Sequence, residues 1–254
     1  MARSFTNCCV LALWCSAAFG QAPAPRQEFE AAVMKLNTSG QTDASFKILP
    51  SGLFSATNIR MIDIFQFAFK VRNETTAGAP GWFNSDRFDI TGRAQPNSKE
   101  NTFREMLGTL LMQELKLKVH IQPTEMNAYA LVVGKGGLKL QPAAGTGEPA
   151  CQPVGEQGAQ FGGSHRACTN LKMSDLAEAL PDLASAYVNK TDVDQTGLTG
   201  SYDFRLDWAG RNIIDTIGGV TMFGAIEKLG LKLEEKKLTL PVVVIDHVER
   251  LVGN

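Results

Sequence analysis

Two stretches of the chain follow the same order of elements. The first contains Arg87-Phe88-Asp89-Ile90, a segment with helical spacing over residues 102–115, and then Lys116-Leu117-Lys118-Val119 and Tyr129-Ala130-Leu131-Val132-Val133. The second contains Tyr202-Asp203-Phe204-Arg205-Leu206, a helical segment over residues 220–229, and then Leu231-Lys232-Leu233-Glu234 and Val242-Val243-Val244-Ile245. Each stretch predicts a strand, a helix, a strand, a reversal and a further strand. In the first stretch, residues 123–127 are expected to form the reversal.

The sequence before the first stretch predicts a further helix and two strands. Apolar residues recur at helical spacing over residues 59–70, behind Thr57-Asn58, which suits a helix N-cap. Residues 46–49 and 53–56 predict strands joined by a turn. We therefore expect an α+β fold in which helices 59–70, 102–115 and 220–229 pack on one face of mixed or antiparallel sheets. The repeats would form one pseudo-symmetric domain or two abutting lobes.

The chain divides by composition into four regions. Residues 1–20 predict a signal peptide, because Arg3 is followed by the apolar run 8–18 and by small residues at Ala18 and Gly20. An N-terminal membrane anchor is the alternative. Regions 21–133 and 171–254 each contain one repeat, and 21–254 together can form one domain. Region 134–170 is rich in Gly and Pro and predicts an insert that is either disordered or compact. A helix with Ser174 as its cap and Pro181 inside it is expected to follow.

Export changes the interpretation of the cysteines. Removal of the signal peptide would leave Cys151 and Cys168 as the cysteines of the mature chain. Two cysteines in an oxidising compartment favour one disulfide, worth about 3 kcal/mol in the chain-entropy model. Two free thiols are the alternative.

Charge and hydropathy exclude some partners. The chain has 25 Lys and Arg against 26 Asp and Glu, and these charges are dispersed. A nucleic-acid-binding protein would show a basic patch. We expect no nucleic-acid partner, and no membrane span in the mature chain because no other apolar run is long enough.

The segment Asp192-Val193-Asp194-Gln195-Thr196 admits three interpretations. A phosphoryl-transfer nucleophile would need an apolar strand before Asp192, and residues 187–191 do not form one. A calcium loop would place Gly197 and Asp203 at the sixth and twelfth positions, but it would lead into a strand and lacks the usual Glu. A turn in which Asp194 and Thr196 accept backbone hydrogen bonds is the simplest interpretation.

No catalytic motif stands out. The three histidines are His120, His165 and His247, and the chain has no G-x-S-x-G sequence to supply a nucleophile. His120 is expected to face solvent. We predict no metal site and no cofactor from the sequence.

Aromatic residues on turns suggest a contact surface. Trp82 in a Pro-Gly loop and Tyr202 beside a Gly-rich turn each precede the opening strand of a repeat. Such rings offer a large contact area at low conformational cost, although they can equally close the ends of the core. The candidate binding residues are Trp82, Asp86, Asp194, Thr196 and Tyr202.

Several segments, in order over nearly all of the mature chain, share the pattern of one family. They are Gly52–Asn58, Gly81–Ile90, Leu115–His120, Tyr129–Val133, Asp194–Phe204 and Val244–Arg250. The chain resembles a large paralogous family of exported, uncharacterised proteins of soil-dwelling Acidobacteria. The resemblance implies compartment and fold, and no established chemistry. Some members of that family carry the domain beside a membrane-sensor peptidase module, which implies sensing or binding.

This chain departs from that family at two places. Asp192 stands where the family usually has an uncharged residue, and Asn189-Lys190 stands where Arg-Pro is usual. The strand-helix-strand pattern is also broadly similar to the small N-terminal domain of secretins and TonB-dependent receptors. We therefore expect an exported, periplasmic or extracellular binding module with an envelope protein or peptide as partner. A secreted hydrolase with an unrecognised site is the alternative.

Overall fold

A computed structural model describes residues 26–155 and 163–251, and these residues form three sheets with helices packed against them. The α+β class predicted from the sequence is confirmed. The predicted leader, residues 1–20, lies outside the described residues. Across the described ranges, no helix is both long enough and apolar enough to cross a membrane.

The elements fall into two lobes joined by a ribbon. The first lobe contains β1 (Ala31–Leu36), β2 (Ser45–Ile48), β3 (Leu53–Arg60), α1 (Met61–Phe69), a 3₁₀ turn (Asn73–Thr75), β4 (Thr76–Ala77), α2 (Trp82–Ser85), β5 (Arg87–Arg93) and α3 (Glu100–Glu114). The ribbon consists of β6 (Lys118–Val133) and β12 (Leu231–His247). The second lobe contains β7 (Gln141–Pro142), β8 (Ala150–Pro153), β9 (Gly163–Lys172), α4 (Met173–Leu183), β10 (Asp192–Asp194), β11 (Ser201–Ala209), α5 (Ile214–Ile217) and α6 (Met222–Lys228).

The sheets of the two lobes have corresponding strand orders. The first sheet runs β1-β5-β3-β2 and the second runs β7-β11-β9-β8, and both are antiparallel throughout. In α3 the side chains at helical spacing are buried, as the sequence predicts: Phe103, Met106, Leu107, Leu110 and Leu111. Each lobe has its own core. The repeat unit itself stays a prediction, and one part of it is wrong.

The reversals predicted in both stretches, at residues 123–127 and between residues 234 and 242, do not occur, since β12 is also one strand from Leu231 to His247. Instead, β6 runs without interruption from Lys118 to Val133 and pairs with β12 along its whole length. A proline inside an apparent strand usually marks its end, because proline cannot donate to the ladder. Here Pro123 lies directly opposite Pro241. In an antiparallel ladder, every second pair of opposite residues forms no hydrogen bond between its two members. Two prolines can occupy such a pair without the loss of a ladder hydrogen bond.

The ribbon contributes to both cores. Val243 and Ile245 of β12 pack in the first core, while Leu131 of β6 and Leu231 pack in the second. At each end a short parallel strand from the lobe at that end extends the ribbon: β4 of the first lobe pairs with β12, and β10 of the second lobe pairs with β6. The strand β6 therefore begins in the first lobe and ends in the core of the second, while β12 begins in the second lobe and ends in the core of the first.

Both lobes contain the same bulge. Asn58 in β3 and Asn170 in β9 have φ values of 55° and 51°. The N–H of Asn58 donates to Asp89 Oδ1 at 3.0 Å, and the N–H of Asn170 donates to Asp203 Oδ1 at 2.8 Å. Asparagine is one of the few residues that tolerates a left-handed backbone, and the carboxylate satisfies the N–H that the bulge removes from the ladder. The predicted N-cap role of Asn58 is wrong, because β3 continues to Arg60.

We expect Asp89→Ala to lower the free energy of unfolding by about 1–3 kcal/mol, because it leaves the N–H of the buried Asn58 without an acceptor. Asp89→Asn keeps an acceptor oxygen and should recover most of the loss. Thermal unfolding followed by circular dichroism measures both, with Asp43→Ala as the control at an exposed position. Equal midpoints for Asp89→Ala and wild type would contradict this role.

Region 134–170, as far as the structure describes it, contributes strands to the second lobe, and its being an insert stays a prediction. It supplies β7, β8 and most of β9. Strands of two and four residues are too short for period-two alternation to be visible in the sequence. The disulfide between Cys151 and Cys168 is present and joins directly opposite positions of β8 and β9. Ser174 is not a cap, because the strand continues to Lys172 and no side chain caps α4.

Candidate functional site

A cleft of about 910 Å³ lies between the two lobes. One wall comes from the end of α1, the segment 70–75 and Arg104 on α3. The other comes from α4 and the segment 188–194. Both segments link a helix to the short strand that extends the ribbon. We call this space the interlobe cleft.

Two ion pairs join the walls of the interlobe cleft. Arg72 donates to both carboxylate oxygens of Asp182, at 2.8 and 2.9 Å, and to the carbonyl of Glu178 at 3.0 Å. Lys70 Nζ lies 2.8 Å from Glu178 Oε2. The hydrogen bonds to Asp182 raise the pKa of Arg72 despite its partial burial. A bidentate pair of this kind fixes the geometry of the guanidinium.

Local backbone structure positions Arg72. Lys70 ends α1 in the left-handed region with φ 54°, so the chain turns away from the helix axis. The N–H of Arg72 then donates to Thr75 Oγ1 at 2.9 Å, which holds the 3₁₀ turn. Across the cleft, Thr191 Oγ1 donates to Glu74 Oε1 at 2.8 Å. These contacts fix the first wall against the second.

Asp192 is the unusual group of the cleft. It is 7% exposed, and neither of its carboxylate oxygens has a hydrogen-bond partner among the described residues. Burial raises the pKa of Asp192 to about 8. The nearby N–H groups of Val193 and Leu131 oppose this rise without making hydrogen bonds of normal geometry, and the charge of Asp194 adds to it. Asp192 therefore carries a proton at neutral pH.

The cleft also has an apolar part. Phe67 lines it, and the guanidinium of Arg104 lies 4.1 Å from the centre of that ring. Phe46 packs edge-on against Phe67 at 4.7 Å between ring centres and is 39% exposed. Aromatic surface therefore continues from the cleft onto the edge of the first sheet.

The structure does not bring the two predicted contact aromatics together. Trp82 is partly buried and packs against Phe83 and Phe88 beside the first core. Tyr202 is 9% exposed and lies in the second core. Tyr202 has a packing role, and the binding roles assigned to both residues stay predictions.

The other predicted residues have local partners. Asp194 Oδ1 accepts from the N–H of Thr196 at 2.8 Å and from its hydroxyl at 2.7 Å, and Thr196 Oγ1 accepts from the N–H of Leu198. This is the turn that the simplest interpretation of the sequence predicts. Asp86 accepts two hydrogen bonds from Arg250, at 2.7 and 3.0 Å. Of the predicted set, Asp194 is the one that lines the cleft.

Each histidine has a carboxylate neighbour. His120 is exposed on the ribbon, as predicted, and its Nδ1 lies 2.8 Å from Asp246. His165 Nδ1 lies 2.8 Å from Asp207. His247 lies 3.5 Å from Glu249. Over residues 26–155 and 163–251, no serine, threonine or cysteine is hydrogen-bonded to a histidine. In the same ranges no three His, Cys, Asp or Glu residues are placed to hold a metal ion.

Sequence reasoning missed the cleft because its walls are far apart in the chain. Arg72 and Asp182 are 110 residues apart, and no motif links them. One signal was available: Asp192 stands in the segment Asp192-Val193-Asp194-Gln195-Thr196, which stands out as a motif in the sequence. Its carboxyl is the one that is buried without a hydrogen-bond partner among the described residues.

Comparison with known proteins identifies a family and no characterised relative. No curated protein and no solved structure matches the chain. A family model described as a protein of unknown function, DUF3738, matches residues 62–248. The match covers both walls of the interlobe cleft and both strands of the ribbon. The chain therefore belongs to the DUF3738 family.

Proposed function

We propose that this chain is an exported cell-envelope protein that binds a peptide or a segment of a partner protein in the interlobe cleft. The cleft itself is the observation that carries the proposal, because both lobes contribute to it and ion pairs hold its walls together. Ligand sites occur preferentially where two structural units meet.

The chemistry of the lining suits a peptide. Charged groups and hydroxyls lie beside Phe67 and Val71, so the cleft offers hydrogen bonds and apolar contacts together. Peptide ligands need both, since their backbone is polar and their side chains supply apolar area. The exposed ring of Phe46 would lengthen the apolar contact beyond the cleft.

Three features support export. The predicted leader precedes the described residues, and the Cys151–Cys168 disulfide suits an oxidising compartment. The resemblance to exported acidobacterial proteins points the same way. A binding role also agrees with members of that family that carry the domain beside a membrane-sensor module.

The test is selection from a random peptide library displayed on phage, with the immobilised mature protein as bait. Ser185→Trp is the cleft-filling variant, because Ser185 is exposed and lines the cleft without joining its ion pairs. Thr239→Trp on the exposed ribbon is the matched control. We expect enriched peptides to bind wild type and Thr239→Trp, and to lose affinity for Ser185→Trp. Peptides that bind all three equally would overturn the proposal.

A further inference from the structure

We propose that the interlobe cleft selects its ligand through a cationic group, a lysine or arginine side chain, which pairs with the carboxyls of Glu74 and Asp192. This inference rests on the proposed function and names the chemistry by which the cleft recognises a peptide. The acidic and basic residues of the lining, and their contacts with one another, provide the argument.

The lining has more acidic than basic groups. It contains five carboxyl side chains and three cationic ones: Glu74, Glu178, Asp182, Asp192 and Asp194 against Lys70, Arg72 and Arg104. Each cation already has a partner, since Lys70 pairs with Glu178, Arg72 with Asp182, and Arg104 with Glu100 outside the lining.

Three carboxyls form no ion pair within 4 Å among the described residues, although the charge of Glu74 contributes to the raised pKa of Arg72. Asp194 is occupied by the turn at Thr196. Glu74 is exposed and accepts one hydrogen bond, from the hydroxyl of Thr191. Asp192 accepts none. A buried polar group without a partner is uncommon in native proteins, because burial removes its hydrogen bonds to water and no hydrogen bond within the protein replaces them. This makes Asp192 an independent sign of a ligand.

Glu74 and Asp192 belong to opposite walls that meet at one point. The hydrogen bond from Thr191 places the carboxylate of Glu74 against the residue that precedes Asp192. An ammonium or guanidinium group carries a positive charge and enough N–H donors for two carboxyls. Two carboxyls fall short of the six to eight oxygen ligands that Ca²⁺ prefers, which favours an organic cation.

Binding of the cation would displace a proton from Asp192. The titratable and charged groups that share the cleft lining with this carboxyl are Asp194 on its own strand, Glu74, Lys70, Arg72 and Arg104 from the first lobe, and Glu178 and Asp182 on α4, with Tyr129 opposite on β6. Since burial keeps Asp192 protonated below about pH 8, a cation that pairs with it at neutral pH releases that proton. The O–H bond breaks, its electron pair stays on the carboxylate, and the buffer takes the proton.

The experiment uses the mature protein with its disulfide intact and a trilysine peptide capped at both ends. The control ligand is the same peptide with acetylated side chains. Titration calorimetry in two buffers of different ionisation enthalpy measures affinity and proton release together. Asp192→Asn and Glu74→Gln remove the proposed partners, and Glu125→Gln removes an equal charge on the exposed ribbon.

We expect the lysine peptide to bind about tenfold or more tightly than its acetylated form, and both cleft variants to lose that difference. Proton release should disappear in Asp192→Asn and persist in Glu125→Gln. Equal losses in Glu125→Gln would show general charge attraction and overturn the inference. Cleft-dependent peptides without lysine or arginine in the display selection would also overturn it while leaving the proposed function intact. A selection without any cleft-dependent peptide would reject both.

Discussion

Cutting the chain between Gly136 and Gly137 is expected to leave neither half folded alone, whereas mixing the two halves restores the native structure. The first half ends with β6 and the second begins before β7, so each half loses the partner strand of the ribbon. The first core also loses Val243 and Ile245. Burial of two such side chains is worth about 3–6 kcal/mol, comparable to the whole stability of a typical domain.

Circular dichroism and size-exclusion chromatography of residues 26–136 and 137–251, separately and mixed, measure this effect. A second half that carries Val243→Asp and Ile245→Asp is the control, since it keeps the ribbon sequence but cannot enter the first core. We expect it to fail to complement. Cooperative thermal unfolding of residues 26–136 alone would show that the first lobe does not depend on β12.

The sequence predicts the elements of this fold better than their connections. The apolar spacing of α3 is a local property, as are the strand-forming runs that begin at Leu53 and Arg87, and the structure has these elements where they were expected. The continuity of β6 depends on Pro123 facing Pro241, and that pairing joins residues distant in sequence. Local rules for proline therefore predicted a reversal where the chain continues straight.

The same distinction separates the parts of the site that could be predicted from those that could not. The turn of Asp194 and Thr196 is local, so its chemistry was visible in the sequence. The pair of Arg72 with Asp182 requires the ribbon to bring two lobes together. Asp192 belonged to a recognised motif, but its burial comes from the parallel pairing of β10 with Tyr129 and its neighbours on β6. Sequence patterns identify such residues and cannot supply their environment.

Asp192→Asn is expected to stabilise the protein at alkaline pH by up to roughly 5 kcal/mol and to have little effect in acid. The folded protein holds the proton of Asp192 until about pH 8, because burial raises the pKa of this carboxyl from 3.8. The unfolded chain releases the same proton near its ordinary pKa. Between these values the folded state binds more protons, so the wild-type free energy of unfolding falls as pH rises. Below the lower pKa both states are protonated, and the contribution of Asp192 is fully retained.

Asparagine has nearly the same shape as the neutral acid and cannot ionise, so the variant should lack this part of the pH dependence. Urea unfolding of wild type and Asp192→Asn at a series of pH values from acid to alkaline gives the difference directly. Asp43→Asn is the matched control, because Asp43 is exposed and its substitution should leave the profile unchanged. Parallel profiles for wild type and Asp192→Asn would mean that the carboxyl of Asp192 ionises freely in the folded protein. The unpartnered acid in the interlobe cleft would then no longer point to a ligand.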